Sequence, residues 1–180
     1  MVQSFIYQRT GDTGKYESAQ KQAIREFLTT AAFAIHDMAF FNVGGVYRYS
    51  WEDRLELHEK SRDILAILFE DENYLFYSDQ AAMVEKSLAY LYAEKKDEAN
   101  TLLHLEKMAE LAVCDAAYDE NAQYTSLIMN GEHTTGIFAH EQDNTAKRLL
   151  ERVIPDPDFD FMRDTDSFHA VSAKLKTYAV

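Results

Sequence analysis

Apolar residues recur at three- and four-residue steps along most of this chain, and very little interrupts them. Only 2 prolines and 6 glycines stand among 180 residues. Folds built from many short strands need frequent turns, and turns draw on those residue types. The pattern therefore predicts an all-α protein. From Tyr16 to about Phe41, the residues Ile24, Phe27, Leu28, Ala31, Ile35 and Met38 form one amphipathic stripe. "NVGGVYRYS" breaks it, and Gly44 and Gly45 leave room for a small hairpin arm there. Ser50 begins a second helix, with Asp53 three residues on completing a capping box, and Leu57, Ile64, Leu65 and Leu68 carry the stripe to about Glu70.

A third helix is expected over about Leu75 to Lys95, through Ala81, Val84, Leu88 and Leu91. "KKDE" forms a turn in which Asp97 caps a fourth helix, running through Leu102, Leu105, Met108, Ala109 and Ala112 to about Asp119. A short helix over Ala122 to Met129 ends at Gly131, another spans 143–153, "PDPDFDF" is extended, and a last helix covers Ser167 to Tyr178. That gives about seven helices, mostly paired as antiparallel hairpins. Residues 1–15 read as a lead-in segment and 16–180 as a single domain.

Charge narrows the function classes. The chain carries 18 Lys and Arg against 31 Asp and Glu, a net charge of −13. Nucleic-acid binding depends on cations that neutralise phosphates, so this chain is not expected to bind nucleic acid directly. The same excess argues against an anionic membrane surface. The stretch "MVQSFIYQRTGDTGKY" has no apolar signal core, and runs such as "AAFAI" are far shorter than the roughly 20 residues that span a bilayer. A cytoplasmic protein is the expectation. Cys114 stands alone, which excludes an intrachain disulfide, and its apolar helical surroundings suggest a packed thiol.

Catalytic and metal-binding signatures are sparse. The six histidines form no HExxH and no Glu-x-x-His pair. Glu132, His133, His140 and Glu141 share one loop, where solvated side chains are the plainer reading than a metal site. Asp156, Asp158 and Asp160 alternate like the start of a calcium loop, but Phe161 and Ser167 stand where such a loop needs Gly and Glu. "GEHTTG" lacks the Lys-Ser/Thr of a phosphate loop, and His36-Asp37 has no second pair to support a phosphohydrolase. No cofactor, no metal and no enzymatic activity are expected.

The clearest local unit is "SLAYLYAEKKDEANTLLHLEKMAELA", Ser87 to Ala112, two helices joined by a tight charged turn. Leu88 and Ala89, Tyr92 and Leu105 stand where a tetratricopeptide repeat places its large-small pair, its aromatic and the large residue of its second helix. Lys96 replaces the usual turn glycine, and Thr101 and Met108 replace alanines, so the unit resembles a divergent repeat. A stack of such hairpins is a tetratricopeptide-like α-α superhelix. A non-repetitive helical bundle is the alternative.

A wider resemblance rests on three motifs. "ILFEDENY" (Ile67 to Tyr74), "YTSLIMN" (Tyr124 to Asn130) and the ending "DPDFDFMRDTDSFHAVSAKL" are similar to elements of the C-terminal helical domain of bacterial Xre-type helix-turn-helix regulators, over about residues 50–177. The resemblance implies an attached helix-turn-helix of about sixty residues, for which the residues ahead of the first long helix are too few. It implies an effector, oligomerisation or peptide- and protein-binding domain, with a homodimer as one arrangement. The alternative is a stand-alone helical adaptor. In a tetratricopeptide-like groove, Met83, Lys86 and Tyr90 on the third helix, then Tyr124 and Ile128, are the expected contacts to a peptide or protein partner. Tyr offers area with a hydroxyl, Met adapts to irregular shapes, and Lys86 suits a carboxylate.

Overall fold

The computed structural model describes residues 9–117, 121–131 and 144–179. Among them lie six α-helices: α1 (Thr13–Met38), α2 (Trp51–Leu68), α3 (Ser78–Glu94), α4 (Glu98–Ala116), α5 (Thr145–Arg152) and α6 (Asp166–Tyr178). Two strands, β1 (Asn42–Val43) and β2 (Val46–Tyr47), pair antiparallel as the small arm between α1 and α2. The fold is all-α, and none of the described helices is long and apolar enough to cross a membrane.

Five of the six helices begin at a side-chain cap, and α3 instead continues from the 3-10 turn Leu75–Tyr77 without one. The Ser50 hydroxyl accepts from the Asp53 amide while the Asp53 carboxylate accepts from the Ser50 amide, a reciprocal capping box. Asp97, Asn144 and Thr165 cap α4, α5 and α6 in the same sense. At the α3–α4 turn, the Asp97 amide donates to the Tyr92 carbonyl (3.1 Å) and the Lys96 amide to the Ala93 carbonyl (2.9 Å). This is a Schellman closure, and it holds Lys96 at φ +54°. The repeat pattern's preference for glycine at this position thus has a local cause, and Lys96 fills it under strain.

Neighbouring helices pack in chain order. Helix α1 packs on α2, α2 on α3 and α3 on α4, while α5 and α6 pack on α4 and on each other. Two apolar cores result. One gathers Ala82, Ala89 and Ala93 of α3 with Leu105, Met108 and Ala112 of α4, Leu149 of α5, Phe159, and Phe168, Val171 and Leu175 of α6. The other gathers Ala32 of α1, Leu65 and Leu68 of α2, Phe69, Ala81, Val84 and Leu88 of α3, and Tyr124 and Met129. Helix α3 serves both, which explains its density of alanines: small residues let helices approach it from two sides.

Four sequence expectations change. Residues 121–131 form turns rather than a helix, because their polar groups are satisfied by docking onto the end of α2. The Ser126 hydroxyl donates to the Leu68 carbonyl (2.5 Å), the Leu127 amide donates to the Glu70 carboxylate (3.1 Å), and Asn73 donates to Gln123 and Thr125. "PDPDFDF" is not extended throughout: Pro157–Phe159 make a 3-10 turn, since the fixed φ of Pro157 suits a first helical position and Asp156 caps it. Helix α1 turns a different face inward. Thr29 and Ala32 are buried and Leu28 and Phe33 pack on the second core, whereas Ile24, Phe27 and Met38 are exposed. Cys114 is exposed as well, because the inward face of α4 is set by Leu105, Met108, Ala109 and Ala112.

Replacing Lys96 with Gly is expected to stabilise the chain by about 0.5–1 kcal/mol. Relief of the left-handed strain outweighs the added freedom of the unfolded chain. Urea unfolding should show a higher midpoint with an unchanged slope.

Candidate ligand-binding site

Three parts of the fold meet around a cavity of about 330 Å³. Ala39 and Phe40 at the end of α1 and Tyr47 of the arm form one wall, and Arg54 and His58 of α2 a second. Helix α3 supplies Lys86, Ser87, Tyr90, Leu91 and Glu94, and Asp158 of the final turn closes the rim. The walls owe their placement to one helical stripe. Arg54, His58, Ser61, Leu65 and Leu68 are all buried on one face of α2. The stripe is apolar toward its end and polar at its start, and the polar half faces the cavity.

Most polar groups on these walls are already engaged. Arg54 makes a two-pronged pair with Glu94 (3.0 and 2.7 Å) and lies over the Tyr47 ring at 4.1 Å. The geometry fixes the arm to α2 and α2 to α3. The Tyr90 hydroxyl donates to Asp156 (2.9 Å), and its ring packs on Phe159 at 4.9 Å. Burial, then the Asp156 hydrogen bond, pushes the Tyr90 hydroxyl well above the usual tyrosine range. Ser87 donates to the Met83 carbonyl (3.0 Å). Lys86 differs: it is half-buried on the cavity wall and makes no hydrogen bond or ion pair among the described residues. Burial lowers its pKa, with Asp79 opposing and Arg148 adding to the effect. A half-buried ammonium with no direct ion pair is a cost that an incoming anion would reduce.

Beside the cavity, the Nδ1 atoms of His36 and His58 lie 3.0 Å apart, with the Phe40 ring against both imidazoles. A bond between two such nitrogens needs one donor and one acceptor, so both rings cannot be protonated in this geometry. Burial lowers both pKa values. His58 falls to about 3, with His36 and Arg54 adding to the effect; for His36, Asp37 opposes and Lys86 adds. A second buried polar pair, Glu85 and His104 at 2.6 Å, ties α3 to α4 away from the cavity walls.

The expected site residues divide. Lys86 and Tyr90 both line the cavity. Met83 packs against the first core, and Tyr124 (1% exposed) and Ile128 belong to the second. They do not line this cavity, because the 121–131 segment docks on α2 instead of extending α3's row of helices. The residues that sequence reasoning missed are Arg54, His58, Glu94 and Asp158. A signal existed for two of them: Arg54 and His58 continue the i, i+4, i+7 spacing of Ser61, Leu65 and Leu68. The loop of Glu132, His133, His140 and Glu141 lies outside the described residues. No group of three or more metal-ligating side chains occurs among the described residues.

Compared with known protein families, with curated proteins and with solved structures, the chain matches none.

Two outcomes follow from this geometry. Tyr124→Ala is expected to destabilise the fold by about 3–5 kcal/mol, the cost of truncating a buried aromatic, as measured by chemical unfolding. The histidine pair makes stability depend on acid. His58 titrates near 6.5 in the unfolded chain and about 3 in the folded one, so between those values the unfolded state binds more protons. Stability is therefore full above pH 6.5 and falls as the pH drops, by on the order of 1–2 kcal/mol by pH 5. His58→Gln, which leaves His36 a hydrogen-bonding neighbour, is expected to flatten the slope of unfolding free energy against pH.

Proposed function

We propose that this chain is a non-enzymatic effector domain that binds a peptide or protein partner in the groove at Lys86 and Tyr90. One observation carries the reading: among the described residues the half-buried Lys86 ammonium makes no hydrogen bond or ion pair, while both terminal nitrogens of Arg54 are already held by Glu94. The walls come from three separately packed parts: the α1–arm–α2 unit, α3, and the turn before α6. An occupant touching all three would favour one arrangement of these parts over others by its differential affinity. That is how an effector domain changes the disposition of whatever is attached to it.

The resemblance to Xre-type regulator domains gains support from packing. "ILFEDENY" and "YTSLIMN" are far apart in sequence but hydrogen-bond directly to one another, and Phe69 lies against Tyr124 with ring centres 5.6 Å apart. The "DPDFDF" element holds Tyr90 through Asp156 and Phe159. The three motifs thus act as the joints of one stack, as a tetratricopeptide-like superhelix in a cytoplasmic regulator would need. A second reading, a stand-alone adaptor, draws on Phe41, Val43 and Val46 of the arm, which are 53%, 72% and 72% exposed. Exposed apolar groups gathered on one projection suit a protein–protein contact, including self-association.

Hydrogen–deuterium exchange against a pool of random hexapeptides with free termini tests the groove reading. The expected result is slowed exchange at the end of α1, the first half of α2 and the Lys86–Glu94 part of α3, reduced at least ten-fold in peptide affinity by Lys86→Ala. Protection confined to the arm would favour the adaptor reading, and none at any of these segments would remove both.

A further inference from the structure

The cavity presents one open charge of each sign. Among the described residues Lys86 on α3 makes no hydrogen bond or ion pair, and neither does the exposed side chain of Asp158, whose amide donates to the Asp156 carboxylate (3.0 Å). The other charges on the walls are paired with one another, the buried Arg54 Nε alone lacking a partner. Both terminal nitrogens of Arg54 are taken by the two carboxylate oxygens of Glu94, and the guanidinium face is covered by Tyr47. The hydroxyl and imidazole groups nearby are engaged within the protein: Ser87 and Tyr90 donate elsewhere, and His58 pairs with His36. Phe40, Leu91 and Ala39 add apolar surface to the same lining.

We propose that this cavity takes a small zwitterion of the amino-acid class, a free amino acid or a dipeptide, with its carboxylate on Lys86 and its ammonium on Asp158. The assignment rests on the groove reading above and specifies its occupant. A ligand with two negative groups would have one cation to meet and would press the other against Asp158 or Glu94. A ligand with two positive groups would meet the converse at Lys86. Phosphate esters are served poorly for the same reason, since Lys86 is the one cation without an ion pair among the described wall residues, both terminal nitrogens of Arg54 being held by Glu94. A volume of about 330 Å³ lies near the small end of ligand cavities, which run from about 300 to 1,000 Å³. It suits one or two residues with both ends inside. Apolar side chains would cover Phe40 and Leu91.

The test is calorimetric titration of the full chain at pH 7 with phenylalanine and alanyl-phenylalanine. Beside them run N-acetyl-phenylalanine, phenylalaninamide and N-acetyl-phenylalaninamide. The free zwitterion should bind, and blocking either end should weaken binding about ten-fold, the usual worth of a charge-assisted contact. The variants give matched signatures. In Lys86→Met the free acid and the amide should bind alike, and in Asp158→Asn the free amine and its acetyl derivative should bind alike. Preference for phenylalanine or for alanyl-phenylalanine reports the span between the two charges, and either preference supports the assignment. If N-acetyl-phenylalaninamide binds as well as phenylalanine, the zwitterion assignment is overturned while the groove reading stands. If no probe binds but the hexapeptide pool still protects the cavity walls, the occupant is a longer peptide and the assignment is again wrong. If neither binds, both readings fall.

Discussion

Helix α3 is buried on two opposite faces, and every other part of the fold is placed by that constraint. One face gives Ala82, Ala89 and Ala93 to the core shared with α4, α5 and α6, and the other gives Ala81, Val84 and Leu88 to the core shared with α1 and α2. A helix in this position must be small-sided where neighbours approach closely, and most of the polar groups it buries at its middle find partners. Glu85 does so through His104, and Ser87 through its own helix. The cavity sits where these demands relax, along the Lys86–Tyr90–Glu94 row, between the two sets of neighbours. Its position follows from the two-core architecture.

The joints between elements are polar and directional, whereas the cores are not. Hydrophobic packing holds the helices together without fixing their register, because burial scales with area and not with angle. Register comes from bonds such as Arg54 to Glu94, the Trp51 indole to the Leu91 carbonyl (2.8 Å), Tyr90 to Asp156, and Ser126 to Leu68. Each crosses between elements distant in sequence, and most border the cavity or the docked 121–131 segment. An occupant of the cavity would therefore lie against the contacts that set the geometry of the stack, which is what an effector site requires.

Much of the architecture was legible residue by residue. The Ser50–Asp53 box, the Asp97 cap and the turn at Lys96 all occur where local chemistry demands them, because a cap involves atoms within one helical turn. The inward face of α1 was not legible: Ile24, Phe27 and Met38 are apolar, yet they face outward. An apolar stripe shows that a helix can be buried on one face, but α1 has apolar residues on more than one. The face that α1 turns inward brings His36 to the buried His58 of α2 and Ala32 to the second core. Searching only for apolar periodicity concealed the buried polar half of the α2 stripe.

The sequence by itself determined the fold class, the main helices and the Ser50 and Asp97 caps, since these depend on propensity, spacing and side-chain chemistry within a few residues. Only the tertiary structure decided that 121–131 docks as turns rather than as a helix, which withdraws Tyr124 and Ile128 from the groove, and that Arg54, His58, Glu94 and Asp158 complete it. Those outcomes turn on which distant groups satisfy a buried donor or charge, and periodicity along the chain carries no record of that pairing.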